Sequence, residues 1–70
     1  MILEIFKTNV LSEKQSIWLL KVLQLYFSDC IMNFDLEDCD RILRVEANRE
    51  IADQITAVMV SNGFFCERIL

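Results

Sequence analysis

Apolar and polar positions alternate in some stretches of the chain and recur at helical spacing in others. "ILEIFKT" is a short β-branched and aromatic run and predicts a first strand. "CIMNFDLED" alternates with a period of two, Met32, Phe34 and Leu36 on one side and Asn33, Asp35 and Glu37 on the other, as a half-buried strand does. A turn falls at Asp38, Cys39 and Asp40, and "RILRVEA" returns as a third strand with Leu43 and Val45 inward. "FFCERIL" supplies a last strand, Cys66 alternating with Phe64. Between these lie two helical runs, one from Ser12 to about Phe27 or Ser28, the other carrying Ile51, Ile55, Val58 and Met59.

The helix boundaries carry their own signals. Ser12 with Gln15 three residues on forms a capping box, and Glu13 places a negative charge in the first turn, where the helix dipole favours it. Asn48 is the expected cap of the second helix, and Gly63 its left-handed terminator. The order is β-α-β-β-α-β over residues 1–70, with no linker or low-complexity stretch. Two helices on one face of a four-stranded antiparallel sheet bury such a set most simply. The fold class expected is therefore α+β, a ferredoxin-like βαββαβ two-layer sandwich forming a single domain.

The first helix carries more apolar residues than a sandwich needs. Ile17, Leu20, Leu23 and Phe27 make a sufficient core stripe, yet Trp18, Val22 and Leu25 form a second one at i, i+4, i+7, with Leu19 and Tyr26 between. On the second helix, Ala57 and Val60 lie away from the core stripe. Trp18, Val22, Leu25, Tyr26, Ala57 and Val60 are thus the expected interface, with a homodimer as the first expectation and another protein as the alternative. Residues Ile2 to Phe6 read as apolar on both sides of the first strand, and Phe65 and Ile69 add to the uncovered sheet face.

Composition narrows the function. A 70-residue domain buries only about 60% of its unfolded surface, so it needs a dense core or a partner; 54% hydrophobic residues with one Gly and no Pro supply the first and hint at the second. Seven basic residues against eleven acidic ones give a net charge of −4, with no basic stripe, which opposes binding to nucleic acid or an anionic membrane. The run from Ile17 to Phe27 is interrupted by Lys21 and Gln24 and is too short to span a bilayer. Three widely spaced cysteines and no leader-like segment make the cytoplasm the expected compartment.

The segments "FDLEDCDRILRVEA" and "VMVSNGFFCE" resemble parts of the heavy-metal-associated domain family of copper chaperones. The first is similar to the family's second strand and its return, and the second to its Gly-aromatic lead into the last strand. The resemblance implies the same fold and would place a Met-x-Cys-x-x-Cys metal loop after the first strand. Alignment on Ile17 and Leu20 puts Thr8 at the Met position, Val10 at the first Cys and Glu13 at the second. Neither Val10 nor Glu13 can supply the thiolate that Cu(I) prefers, so the implied metal site does not carry over.

Other chemistry is sparse. Cys30 and Cys66 fall on opposite edge strands of the expected sheet and Cys39 in a turn, so no thiolate cluster is expected. Asp35, Glu37, Asp38 and Asp40 offer oxygen ligands for a hard cation, but Asp40 stands where a calcium loop needs glycine, and a solvated hairpin is the simpler expectation. Without histidine there is no usual general base, and no glycine-rich loop could cradle phosphate. No enzyme and no cofactor is expected. The alternative to an interaction module is a metal-ion or small-ligand binder using the acidic hairpin or the scattered cysteines.

Overall fold

A computed structural model describes residues 1–70 as β1 (Ile2–Thr8), α1 (Glu13–Tyr26), β2 (Ile31–Asp35), β3 (Ile42–Ala47), α2 (Ala52–Ser61) and β4 (Cys66–Arg68). The strands form one antiparallel sheet in the order β2-β3-β1-β4, which with the two helices is the ferredoxin-like α+β sandwich. α1 lies beside β2 and α2 beside β4. Register sets the core in rows on the helix-covered face. Phe34, Leu43 and Phe6 stand side by side across β2, β3 and β1, as do Met32, Val45 and Glu4 one step along. Thr8 and Cys66 continue the same face at the β4 edge.

The capping box at α1 forms as the sequence requires. Ser12 is extended, its hydroxyl accepts the Gln15 N–H at 3.1 Å, and the Gln15 side chain accepts the N–H groups of Leu11 and Ser12. The helix is turned, however, relative to the expected stripe of Ile17, Leu20, Leu23 and Phe27. Ser16, Leu19, Leu23 and Phe27 are the buried residues, Leu20 is half-buried, and Ile17 is 49% exposed. The change amounts to roughly 40° about the helix axis, one step of four residues. Ser16 makes it affordable: its hydroxyl donates to the Glu13 carbonyl at 2.7 Å, so a small, internally bonded residue faces the sheet.

α2 also departs from expectation at its start. Its N-cap is Ile51, which provides no side-chain bond, and Asn48 lies too far upstream to cap the first turn. Asn48 instead accepts from Arg49. Burial of Ile51 in the core fixes the first turn where a polar cap does not. The other end is as read: Gly63 takes φ 87°, with Gly63 N–H donating to Val60 C=O and Phe64 N–H to Met59 C=O, the paired bonds of a Schellman motif.

Residues 2–6 are not apolar on both sides of β1, because Glu4 is in phase with Phe6 and Thr8 and points under the helices.

Candidate functional site

The loop from β1 to α1 is occupied by structural bonds. Val10 is fully buried, and its N–H donates to Thr8 Oγ1. The Thr8 hydroxyl in turn donates to the Arg41 carbonyl in the β2–β3 hairpin. Asn9 Oδ1 accepts the Phe65 N–H at 2.9 Å, tying the loop to the lead into β4. The resemblance would place a metal-binding thiolate at position 10; here that side chain is a core hydrophobe.

The outer face of the helix layer has the opposite character. Trp18 is 49% exposed, Tyr26 67% and Leu25 84%, while Val22 is half-buried beside them. With Leu19, Leu23 and Phe27 filling the core side, these four project from the remaining flank of α1. On α2, Ala57 and Val60 are both exposed. At about 100° per residue Ala57 and Val60 fall on the side of α2 opposite the buried Ile51, Ile55 and Met59. Five of the six expected interface residues are thus exposed, and Val22 is half-buried. Lys14 and Lys21, both exposed, border the α1 part.

The hairpin acids divide into two groups. The ligand atoms of Asp38, Cys39 and Asp40 lie within 4.8 Å of one another in the turn. Both carboxylates already have partners: Asp38 Oδ1 accepts the Asp40 N–H at 2.8 Å, and Asp40 lies 3.7 Å from Lys7 Nζ. Asp35 stands apart, paired with Arg44 at 3.4 Å and accepting the Glu37 N–H. Glu37 is exposed. Arg41, at φ 49°, closes the turn by donating to the Leu36 carbonyl at 2.9 Å. The hairpin is therefore internally bonded, with Asp35 and Asp40 paired to cations and Glu37 left without one.

The cysteines do not converge. All three are free, Cys30 and Cys66 buried at opposite edges and Cys39 exposed. Burial pushes the Cys66 thiol up to about 11, against a smaller opposing effect of the Thr56 hydroxyl. Burial raises Cys30 as well, helped by the negative charge of Asp29. Arg49 bonds the Asp29 carboxylate and holds it below the usual range. Buried, protonated thiols behave as small hydrophobes.

Two features escape sequence reading. Glu4 is 1% exposed, and neither carboxylate oxygen has a hydrogen-bond partner. Its phase with Phe6 and Thr8 was the available signal. The second is a groove between α1 and β2, floored by Ile17, Leu20, Phe34 and Leu36, which appears only once the helix is set against the strand. No helix is long and apolar enough to cross a membrane. No family model, curated protein or solved structure matches the chain.

Proposed function

We propose that the protein is a non-catalytic interaction module that self-associates as a homodimer through the outer face of α1. The observation that carries this reading is the exposure of Trp18, Leu25 and Tyr26 on a helix whose core side is already filled. Fully burying one large aliphatic side chain is worth roughly 1.5–3 kcal/mol, so a stripe met by its own symmetry mate is a substantial driving force. A two-fold interface uses the same patch on both partners, which suits a single helix face. A standard interface takes about 800 Å² per partner. That is roughly a fifth of the 4446 Å² surface of this chain.

The test is solution mass by size exclusion with light scattering over a concentration series, for the native chain and Trp18→Glu. The native chain is expected as a dimer and the variant as a monomer. A native chain that stays monomeric at every concentration overturns the reading.

A further inference from the structure

β2 is one outer edge of the sheet, and its backbone pairs only with β3. None of the thirteen backbone bonds outside the ladders and helices involves Ile31–Asp35, and no side chain bonds the main chain of this stretch. The outward N–H and C=O groups are therefore free. Sheet edges are commonly blunted by Lys, Pro or a bulge. Ile31–Asp35 contains neither Lys nor Pro and pairs with β3 in unbroken register. The other edge, β4, has three residues and carries Glu67 and Arg68.

Beside this edge runs the groove of about 380 Å³ between α1 and β2, with Ile17, Leu20, Phe34 and Leu36 as its apolar part. Glu13 and Glu37 supply its charge, and no basic side chain lines it. We propose that β2 and this groove receive an extended segment of another protein, added to the sheet as a fifth strand. An apolar side chain of that segment sits against Ile17 and Leu20, and a Lys or Arg answers Glu13 or Glu37. Main-chain bonds to the edge supply affinity in such strand addition, and the alternate side chains supply specificity. Charge selects the occupant. Two copies meeting edge to edge would each bring a groove whose lining holds two glutamates and no cation, whereas a basic segment complements both glutamates. The site is separate from the helix face, because the groove lies on the Ile17 flank of α1 and not on the Trp18 and Leu25 flank.

The probe is a blocked peptide, acetyl-Thr-Lys-Val-Leu-Val-Lys-Thr-amide, with a control in which both Lys are Glu, titrated into the labelled chain and followed by amide chemical shifts. The basic peptide is expected to shift Ile31–Asp35 together with Ile17 and Leu20, and the acidic control to bind at least about tenfold more weakly. Glu13→Lys/Glu37→Lys is expected to reverse that preference; both positions are exposed, so the fold is retained. The proposal fails if neither peptide binds by about 1 mM, if both bind alike, or if the shifts fall on Trp18 and Leu25. It fails equally if the shifts of Ile31–Asp35 depend on protein concentration without peptide, since the occupant is then a second copy.

Discussion

Glu4 on β1 stands directly opposite Val45 on β3, on the helix-covered face of the sheet, with neither of its carboxylate oxygens hydrogen-bonded. A buried polar group without a partner costs about 1–3 kcal/mol, and removing it for an apolar side chain of similar shape recovers that cost. Glu4→Met is therefore expected to raise the unfolding free energy by about 1–3 kcal/mol, read as a higher urea midpoint at unchanged slope. Glu4→Gln, which keeps polar atoms in the same place, should gain less. A destabilised Met variant would show that the carboxyl has a partner in solution.

The helix-face reading predicts a sided response to charge. Leu25→Lys and Ile17→Lys both place a cation on exposed positions of α1, but on different flanks. The first is expected to abolish the dimer and the second to leave it intact, by light scattering at matched concentrations. Loss of the dimer in both would place the contact across the whole helix.

Thiol reactivity should sort by burial. With Cys39 exposed and Cys30 and Cys66 buried with raised pKa values, a thiol reagent at mildly alkaline pH is expected to modify Cys39 quickly and the other two only on unfolding. Trypsin-digest mass spectrometry over a time course reads this directly.

The same shift makes stability fall at alkaline pH. Cys66 titrates at about 11 in the folded chain against an ordinary 9.0, so the folded state holds its proton longer. Below the ordinary value both states are protonated and the group contributes no pH dependence. Between 9.0 and about 11 the unfolded chain releases its proton first, and stability is lost as pH rises. Urea midpoints measured across that window should fall less steeply for Cys66→Val.

Metal titration addresses the acidic turn. Asp38 and Asp40 already satisfy an N–H and a lysine, and position 10 holds a buried valine. Calorimetry with Ca²⁺, Zn²⁺ and Cu(I) is expected to show no tight stoichiometric binding. Tight binding that is lost in Asp38→Asn would instead make the hairpin a metal site.

The order of elements, the Ser12–Gln15 capping box, the Gly63 terminator and the alternation through Met32, Phe34 and Leu36 were all legible in the chain. Each is a relation among residues a few positions apart, decided by local geometry and by the periods of helix and strand. The same local logic found the exposed Trp18 and Leu25, but it misplaced the core edge of α1. A helix apolar nearly all round has no unique buried side, and only contact with the sheet selected Leu19 over Ile17.

Tertiary structure alone decided three other things. Asn48 had the chemistry of a cap, yet the buried Ile51 set the helix start. Ile2 to Phe6 read as apolar on both sides until the register of Glu4 opposite Val45 placed a carboxylate under the helices. The groove beside β2 joins Ile17 and Leu20 to Phe34 and Leu36, fourteen or more positions away in the chain. Local sequence thus determined which elements form and roughly where they end. How each element is rotated, and which charges that rotation buries or leaves beside a free edge, depended on packing between distant segments, where close-packing admits one fit among several that periodicity allows.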